Sequence, residues 1–525
     1  MKTQLLKSIS SLLFLAFATS TSVAQTAEKP SGSGTEEDPY QIATLGNLYW
    51  MSQNAIGHFM QTADIDASET STWDVGDHDR DRSTPDQPQG WSPAWLGGTY
   101  NGNGHTIDGL TINRPTEKRI GLFGHLSWDP MSMGEKPEIQ NLGLTNVQIH
   151  GEEYVGALVG QWEIFTGQPI TNCYATGNVI GDSQVGGLVG TLGGMHSGEL
   201  TDSHSDCTVR GGQEVGGLVG ALNEGTIRSS YNAGEVSGEG QVGGLVGSIS
   251  RFGSGGIISS SYSAGEVRGQ TRLGGLVGWN SRGYVINSYS TGSIAAEDTS
   301  YSLNQSGGLV GVQDYNGEVI NCYSTSSVSG DSNSTELGGF MGVNEGIITN
   351  SFWDIESSGI DSSAGGQGKT TTQMKRMGTY TSAGWDFESE TTNGADNYWD
   401  LDMSGVINDG YPYLWWQDGD ATSLDVSDAP VLPDGFAIHQ NYPNPFNPTT
   451  TILYDLPEAS TVHLVIYDVL GRQVRTLVNQ DQTAGYHRAV WDATDDIGKP
   501  LSAGLYIYRI NASGYSKTMK MVLLK

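Results

Sequence analysis

The phrase QVGGLVG occupies residues 184–190 and returns at 241–247, and residues 214–220 read EVGGLVG. A glycine-rich loop can cradle a phosphate, but glycine also lets two stretches of backbone approach closely, so composition alone does not distinguish a ligand site from a scaffold. The opening glycine of the phrase, or of its GLFG variant, recurs at Gly121, Gly156, Gly186, Gly216, Gly243, Gly274, Gly307 and Gly338. Recurrence every 27 to 35 residues is typical of a solenoid, in which each unit buries its apolar face against its neighbours.

Each unit also carries a second phrase, such as ITNCYATGNV (170–179) or VINSYSTGSI (285–294). It consists of short β-favouring stretches separated by turn residues, and it has neither the length nor the 3.6-residue period of a helix. The sequence therefore predicts an all-β protein whose main part is a parallel β-solenoid, or β-helix, of about eight units of ~31 residues.

Equivalent positions of stacked units lie ~4.8 Å apart in such a solenoid, so repeated residues form columns. The second phrase predicts an aromatic column of Tyr174, His204, Tyr231, Tyr262, Tyr289, Tyr323 and Phe352. Two positions earlier, it predicts a polar column suited to mutual hydrogen bonding, made of Asn172, Asp202, Ser229, Ser260, Asn287, Asn321 and Asn350. The glycine phrase supplies the core leucines Leu158, Leu188, Leu218, Leu245, Leu276 and Leu309.

The solenoid needs end caps, because its terminal strands would otherwise be unpaired. Residues 25–120 are predicted to form the N-terminal cap and the entry to the solenoid, with a short helix in TLGNLYWMSQN (44–54). Residues 121–350 form the repeat region, and residues 351–416 form the C-terminal cap, with another short helix near residues 371–380.

The N-terminus predicts a secretory signal peptide over residues 1–24, because Lys2 and Lys7 precede the apolar run SLLFLAFA and a small-residue cleavage site between Ala24 and Gln25. No later segment approaches the ~20 apolar residues of a transmembrane helix. Cys173, Cys207 and Cys322 are too few for a disulfide framework and fall in separate or distant units, so we expect free thiols.

The net charge of −32 disfavours nucleic acid and anionic membranes as partners and leaves cation binding open. Asp77, Asp79 and Asp81 have the alternate spacing of calcium ligands but lack the glycine and glutamate of a calcium loop, so a solvated acidic loop is favoured. No cofactor is predicted, although calcium remains open. The P-loop-like GGQGKTT (365–371) lacks both the first glycine and the preceding strand of a nucleotide site.

Catalytic residues are not predicted either, since the chain has no zinc-protease motif and no GxSxG elbow. Solenoid enzymes that process polysaccharides use carboxylates with a basic residue, and Glu235, Glu266, Arg268 and Arg272 are the candidates. Glu235 and Glu266 occupy the same position of successive units, which favours a solvated ladder of charge over an active site.

Residues 31–415 resemble the GLUG-repeat family of secreted bacterial proteins, through units of the form GGLVG…NSYS, the entry GSGTEEDPYQIATLGNLYWMS (32–52), the stretch YNGNGHTIDGLTIN (100–113) and the exit SFWDIESSGI (351–360). This resemblance implies a β-helical extracellular region and carries no common catalytic residues. A linker with several aspartates and prolines covers residues 417–435.

Residues 436–525 resemble the type A C-terminal sorting domain of the type IX secretion system. Alternating apolar residues such as Ile452, Tyr454 and Leu456 independently predict a small antiparallel β-sandwich. The resemblance implies that the secretion machinery is a partner and rests on motifs that include Pro443, Asn444, Pro445, Gly471, Arg472, Gly504, Tyr506 and Lys525.

Together these features predict a protein that passes through Sec export to the periplasm and type IX translocation to the outer cell surface or the medium. The favoured function is non-enzymatic adhesion, or binding of a glycan or a surface protein, through the repeated face. The alternative is a β-helical polysaccharide lyase or glycoside hydrolase.

Overall fold

The described part of the chain falls into two compact units, which divide between residues 424 and 425. The computed structural model describes residues 26–74, 88–127, 137–163, 169–194, 198–249, 255–297, 304–314, 316–330, 336–388, 393, 397–402, 407–417, 436–438, 441, 446, 448, 450–482 and 485–524. The predicted domain boundaries within the first unit stay predictions.

The predicted parallel β-solenoid is confirmed, with about seven turns between residues 94 and 353 where about eight units were predicted. Sheet 1 contains Tyr40–Ile42, His58–Gln61, Thr99–Asn101, Glu138–Gln140, Pro169–Thr171, Gly198–Thr201, Gly225–Arg228, Gly256–Ser259, Tyr284–Ile286, Glu318–Ile320 and Ile347–Thr349. Sheet 2 contains Ile65–Asp66, Thr106–Asp108, Thr111–Asn113, Lys118–Ile120, Gly143–His150, Glu153–Val155, Tyr174–Ile180, Ser183–Gly186, His204–Arg210, Gln213–Gly216, Tyr231–Asn232, Val236–Gly243, Tyr262–Ser263, Val267–Gly274, Tyr289–Ser290, Ser293–Ala296, Gln305–Gly307, Tyr323–Ser324, Ser327–Ser329, Glu336–Gly338, Phe352–Asp354 and Gln367–Lys369. Sheet 3 contains Ala94–Leu96, Phe123–Ser127, Val159–Glu163, Val189–Leu192, Val219–Leu222, Val246–Ile249, Val277–Asn280, Val310–Gln313 and Met341–Asn344.

The glycine phrase forms the corner between sheet 2 and sheet 3. In Ser183–Gly186 the first glycine ends a strand of sheet 2, and the last glycine, Gly190, is the second residue of the next strand in sheet 3. All eight strands of sheet 3 from Phe123–Ser127 onward begin inside one of the eight phrases. The core leucines predicted from the phrase are fully buried inside the solenoid.

Close backbone approach explains the glycines of this corner. A β-carbon at Gly190 would lie 2.5 Å from the carbonyl oxygen of Gly160 on the preceding rung. A β-carbon at Gly186 would lie 2.7 Å from the amide nitrogen of Gly220 on the following rung. Both distances are shorter than a carbon atom tolerates, and the same relation repeats from rung to rung, so the phrase is where successive rungs interlock.

The predicted polar column forms the corner between sheet 1 and sheet 2. Its residues have left-handed backbones, with φ between 45° and 51°, which Asn and Asp tolerate better than most residues. The expected mutual hydrogen bonding is wrong for most of the column. The Asn172 side chain donates to Asn141 Oδ1 at 2.8 Å, but among the described residues nothing donates to the Oδ1 atoms of Asn287 and Asn321.

A second ladder lies directly behind this corner. The Ser230 hydroxyl accepts from the amide of Ser203 at 3.2 Å and donates to the carbonyl of Arg228 at 2.6 Å, and the same pattern repeats on neighbouring rungs. Cys173 and Cys322 take the serine position on their own rungs. All three cysteines are buried and free, and burial raises the pKa of each thiol to about 12.

Both predicted cap helices occur, the second in a divided form. The helix Leu45–Gln53 begins after Thr44, whose hydroxyl accepts from the amide of Asn47 at 3.1 Å. Towards the other end, short helices cover Ile355–Ser358, Thr371–Met374 and Met377–Thr381, 3-10 turns cover Asn408–Gly410 and Trp415–Gln417, and Trp399–Asp400 pairs with Tyr413–Leu414. A further 3-10 turn covers Ser68–Thr72 near the N-terminal end.

The stretch GGQGKTT takes part in the C-terminal cap as a strand and a helix start. Gln367–Lys369 pairs in parallel with Phe352–Asp354, and Thr370 forms a capping box with Gln373 at the start of the next helix. The backbone is therefore committed to strand pairing and helix capping rather than to a phosphate-binding loop.

The C-terminal unit consists of two small antiparallel sheets, as predicted. One contains Ala437–Ile438, Thr450–Leu456 and Gly485–Trp491, and the other contains Gln473–Gln482, Ser460–Asp468, Gly504–Ala512 and Tyr515–Leu523. The alternating residues Ile452, Tyr454 and Leu456 are buried in a core of their own with Trp491 and Tyr508. This core makes the C-terminal unit an independent sandwich.

Substitution of an interlocking glycine should destabilise the solenoid strongly. In Gly220→Ala the new methyl group would lie 2.5 Å from the amide nitrogen of Val185 and 2.6 Å from the carbonyl oxygen of Gly190. Both neighbours are backbone atoms and cannot move aside, so we expect a loss of about 3 kcal/mol or more in the free energy of unfolding. Chemical denaturation followed by circular dichroism measures this loss.

Gly378→Ala is the matched control. Gly378 lies in the helix Met377–Thr381 with no atom within 4 Å of the added carbon, and alanine is the better helix former. Its stability should be unchanged or slightly higher. Equal effects of the two substitutions would contradict the interlocking role of the corner.

Candidate functional site: the outer aromatic column

The rings of the predicted aromatic column stack face to face along sheet 2. From Tyr174 to Tyr323, successive ring centroids lie 4.6–5.0 Å apart and successive planes differ by 3–5°. His204 takes its place between Tyr174 and Tyr231 as a flat ring of the same stack. Phe352 is in register with Tyr323 but packs against Tyr380 and Trp385 of the C-terminal cap.

The column lies on the outer side of the solenoid wall. The residue that follows each ring, for example Ser205 after His204, is buried on the inner side, and successive side chains of a strand point to opposite faces. Tyr289, Tyr323 and Phe352 accordingly belong to a cluster with residues of the cap and not to the solenoid core.

The C-terminal cap covers one end of the column. Trp416 packs against both Tyr231 and Tyr262. Its ring centroid lies 6.3 Å from that of Tyr231 and 5.8 Å from that of Tyr262. The hydroxyl of Tyr289 donates to Gln417 Oε1 at 2.9 Å. Tyr289, Tyr323 and Phe352 are at most 2% exposed as a result, whereas Tyr174, His204, Tyr231 and Tyr262 are only half-buried.

The open end of the column is uncharged at neutral pH but has an acidic neighbour. Burial lowers the pKa of His204, an effect that the charge of Asp206 opposes. Burial and, to a lesser degree, Asp206 raise the pKa of Tyr231 to about 12. The neutral rings and hydroxyls therefore stand beside the exposed carboxylate of Asp206.

Backbone carbonyls next to two of the rings accept hydrogen bonds from tryptophans of the cap. Ser260, which has a left-handed backbone two positions before Tyr262, accepts from the indole N–H of Trp416 at 3.0 Å. Trp385 donates in the same way to the carbonyl of Asn350 at 2.7 Å. Among the described residues, no backbone amide outside the strands and helices donates to the corresponding carbonyls of Asp202 and Ser229 at the open end.

Three of the four residues considered for catalysis come together, and the fourth does not. Arg268 forms an ion pair with Glu266 at 2.7 Å and lies 3.9 Å from Glu235. Arg272 instead places its guanidinium 5.5 Å from the ring centre of Trp279. One arginine thus partly offsets the charge of the two ladder glutamates on the solenoid surface.

Three acidic residues with raised pKa values lie in or next to sheet 1. The sequence places Asp202 in the polar column but singles out neither Glu199 nor Glu318. Burial raises the pKa of Glu199, and it raises the pKa of Asp202 to about 6 against the opposing charge of Arg228. Burial also raises the pKa of Glu318 to about 7. Glu199 and Glu318 each stand next to a core residue of the same strand. In the sequence, this alternation of polar and apolar residues indicates a side chain that faces solvent. Within the described ranges, no three His, Cys, Asp or Glu side chains are grouped so that they could hold a metal ion.

Several predicted site residues lie outside the described residues, namely Ala24, Gln25, Asp77, Asp79, Asp81, Pro443, Asn444, Pro445 and Lys525. The others of the C-terminal unit have structural contacts. Gly471, with φ of 76°, and Arg472 form the turn after Ser460–Asp468, where Arg472 pairs with Asp468 at 2.7 Å. Gly504 begins a strand, and the hydroxyl of Tyr506 donates to the carbonyl of Ser502 at 2.7 Å.

Two family models match parts of the chain. The GLUG motif matches residues 302–329, and the FlgD Ig-like domain matches residues 447–516. The chain therefore combines a GLUG-containing β-solenoid with an Ig-like C-terminal domain. Among the described residues, no helix has the length and apolar character needed to cross a membrane.

Two sequence relatives share part of the chain. Halomucin of Haloquadratum walsbyi is 33% identical over 156 residues, which are 29% of this chain and 2% of halomucin. A protein of Evansella cellulosilytica described as a Gly-rich membrane protein is 34% identical over 162 residues, 28% of this chain and 16% of that protein. The chain thus spans only a small part of the length of either relative.

Two solved structures of Porphyromonas gingivalis proteins show weak likeness. Dimeric latent PorU is 23% identical with a TM-score of 0.15, over 16% of this chain and 9% of that one. PorZ, a surface component of the type IX secretion system, is 21% identical with a TM-score of 0.13, over 22% of this chain and 14% of that one. Scores this low carry no argument about function.

Ionisation of Glu318 should lower stability as the pH rises. This side chain is 6% exposed, and its pKa is raised from an ordinary 4.5 to about 7. Below pH 4.5 the Glu318 carboxyl is protonated in both the folded and the unfolded state, so it does not lower the free energy of unfolding. Between pH 4.5 and 7, Glu318 ionises in the unfolded chain before it ionises in the folded protein. By pH 8 the free energy of unfolding has therefore fallen by on the order of 3 kcal/mol.

Glu318→Gln should remove this part of the pH dependence. The variant should match the parent protein at pH 4 and exceed it in stability at pH 8, as measured by urea denaturation at both values. A variant that is less stable than the parent at pH 8 would show that the Glu318 carboxylate has a favourable partner.

Proposed function

We propose that the chain is a secreted or cell-surface protein that binds a glycan or a surface partner through its solenoid and catalyses no reaction. The outer aromatic column carries this proposal. It offers neutral rings at equal spacing along a rigid rod, and its open end is half-exposed. Equal sites along a rod favour multivalent contact, in which individually weak contacts add to a high avidity.

The distribution of charged residues supports binding over catalysis. Catalysis requires unlike groups held at one place within ångströms of a reacting bond. Here the ladder acids Glu235 and Glu266 are paired with Arg268, and the column repeats one kind of side chain. The acidic chain would repel anionic partners, so uncharged or cationic surfaces are favoured.

We also propose that the C-terminal unit directs export. An Ig-like sandwich with its own core supports this role, because a sorting domain must fold independently of its cargo. In this proposal the signal peptide leads the chain to the periplasm, and the type IX machinery recognises the C-terminal unit and moves the chain to the cell surface or beyond. One relative is described as a membrane protein, which is compatible with a location at the cell surface.

A polysaccharide lyase or hydrolase is the second candidate. It rests on Glu199 of sheet 1 and Asp202 of the adjoining corner, two carboxyl groups with raised pKa values near Arg228. Such carboxyl groups could act as acid and base. The column has the stronger support, because its regular geometry extends over six rungs.

Removal of the C-terminal unit should block export but leave the solenoid folded. A chain ending at Leu424 should accumulate in the periplasm of a host with type IX secretion, since the solenoid and its cap belong to the first unit. Immunoblots of periplasm and medium measure this. As the reciprocal control, residues 425–525 fused to a periplasmic reporter should export it. Normal secretion of the shortened chain would refute the sorting role.

Polysaccharides should be bound but not degraded. Affinity electrophoresis of the full chain with plant, algal and bacterial polysaccharides should show retardation by some of them, with and without calcium. Reducing-end and unsaturated-sugar assays should stay at background. Sustained turnover that Glu199→Gln or Asp202→Asn abolishes would overturn the binding proposal in favour of the enzyme. Retardation by none of the polysaccharides would remove glycans as ligands.

A further inference from the structure

The turn DVLGR (468–472) of the C-terminal unit is held in place by its own aspartate. Asp468 Oδ1 accepts from the amide of Leu470 at 2.9 Å and from that of Arg472 at 3.0 Å. The amide of Gly471 donates to the carbonyl of Asp468 at 2.9 Å, and this glycine has the left-handed φ of 76° that the turn requires. Several hydrogen bonds therefore fix the backbone, and Leu470 stands at its tip.

The turn DDIGK (495–499) repeats this arrangement bond for bond. Asp495 Oδ1 accepts from the amide of Ile497 at 3.1 Å and from that of Lys499 at 2.8 Å. Gly498 has a φ of 77°, and its amide donates to the carbonyl of Asp495 at 2.9 Å. Ile497 takes the tip position. We call these two segments the aspartate turns.

The aspartate turns lie at the same end of the C-terminal sandwich. The first turn joins Ser460–Asp468 to Gln473–Gln482. The amide of Asp496 in the second turn donates to the carbonyl of Val474 at 3.1 Å, and the amide of Thr476 donates to Asp496 Oδ1 at 2.8 Å. The second turn is thus bonded to the strand that leaves the first turn, which fixes the position of one tip relative to the other.

Each tip exposes a large aliphatic side chain to solvent. Ile497 is 87% exposed and Leu470 is 75% exposed, and these are the highest values of any large hydrophobic residue in the described part of the chain. Turn tips are usually built from glycine, proline and short polar residues. A fixed backbone that holds an aliphatic side chain in water loses little conformational entropy when a partner covers that side chain. The two tips therefore have the properties of anchors in a protein interface.

The small area of the tips favours a concave partner. Two aliphatic side chains contribute far less than the ~800 Å² that each partner of a standard protein interface buries. A second copy of the chain that met these tips with its own tips would cover little of either. A partner with a pocket for each side chain would enclose both tips and add contacts around the turns.

The charges around the tips favour a protein over an anionic bilayer. A bilayer surface attracts segments with several unopposed lysines and arginines. Arg472 is instead paired with Asp468 at 2.7 Å, and Lys499 follows two aspartates of its own turn. Residues 436–525 contain eight lysines and arginines and seven aspartates and glutamates, so this unit does not share the acidic charge of the whole chain. Charges of both signs thus surround the apolar tips, as in the polar rim of a protein interface.

We propose that the aspartate turns dock the C-terminal unit on a protein of the export machinery, with Leu470 and Ile497 inserted into two apolar pockets of that protein. This inference rests on the proposed sorting role and names the residues and the kind of partner surface that serve it. The pockets enclose the aliphatic side chains, and polar groups around the pockets meet the mixed charges that surround the tips.

Export of the full chain in a host with type IX secretion tests the docking site. Leu470→Ser and Ile497→Ser should each lower the exported fraction about fivefold or more, because each removes one apolar anchor. The double variant should fall to the level of a chain that ends at Leu424. Leu470→Met and Ile497→Leu keep an apolar tip and should be exported as the parent is. Ile56→Ser is the matched control, since Ile56 is 66% exposed in the first unit, and it should leave export unchanged.

Folding and competition are measured with the same substitutions. Circular dichroism and thermal midpoints of the purified serine variants should match the parent, because both side chains lie in solvent. A variant that loses the fold would contradict the exposed position of its tip and overturn the inference. Residues 425–525, expressed in excess in the periplasm, should reduce export of the parent chain, whereas the same fragment with both serines should not.

The outcomes separate this inference from the proposed sorting role. Normal export of the double variant, with retention of the chain that ends at Leu424, would overturn the docking site and leave the sorting role intact. Secretion of the shortened chain would refute the sorting role itself. An equal loss of export in Ile56→Ser would also overturn the docking site. Binding of the parent chain to phosphatidylglycerol vesicles, or its self-association in sedimentation velocity, would overturn the inference in favour of a bilayer or a second copy if the double variant abolished it.

Discussion

The absence of a β-carbon at the corner between sheets 2 and 3 is the constraint on which the fold depends. Within the stack, the last glycine of a phrase lies against the carbonyl of the last glycine on the preceding rung, from Gly160 to Gly342, and the first glycine lies against the amide of the last glycine on the following rung, from Gly121 to Gly307. This double contact brings the backbones of successive rungs into one register. Every other column of the solenoid inherits its alignment from that register.

The register fixes the spacing of the outer surface as well as the core. Because one rung follows another at the strand spacing, side chains on the outer wall of sheet 2 form a stack of rings rather than scattered aromatic residues. Trp385 and Trp416 of the C-terminal cap pack on this stack. They cover part of the outer surface of sheet 2 and cap the C-terminal end of the solenoid.

Much of the solenoid could be predicted from the sequence because its contacts are local in the repeat. The period of the repeat predicts the rungs, the leucine core and the residues of the aromatic column. Each of these features forms through contacts between one unit and the next, so the repeat alone indicates it. The antiparallel C-terminal unit followed from alternation at Ile452, Tyr454 and Leu456 in the same way.

Other features could not be predicted, because they depend on conformation or on distant parts of the chain. Asn287 and Asn321 suggest a hydrogen-bonded ladder, yet their shared property is a left-handed backbone, which the residue type favours but does not reveal. The contact between Trp416 and Ser260 joins residues 156 positions apart and follows no repeat. The burial of Glu318 is equally hidden, because a polar residue beside a core residue looks like a solvent-facing position.

The division between wall and surface also separates stability from recognition. Glycine corners, buried serines and leucines hold the rungs together from the inside, and these positions tolerate little change. At the covered end, Tyr289 and Tyr323 are tied to the cap through Gln417 and Pro412, so their side chains contribute to closing the rod. At the open end, Tyr174 and His204 are half-buried, and among the described residues no aromatic ring of the cap packs on them, so the cap constrains them less than it constrains Tyr289 and Tyr323.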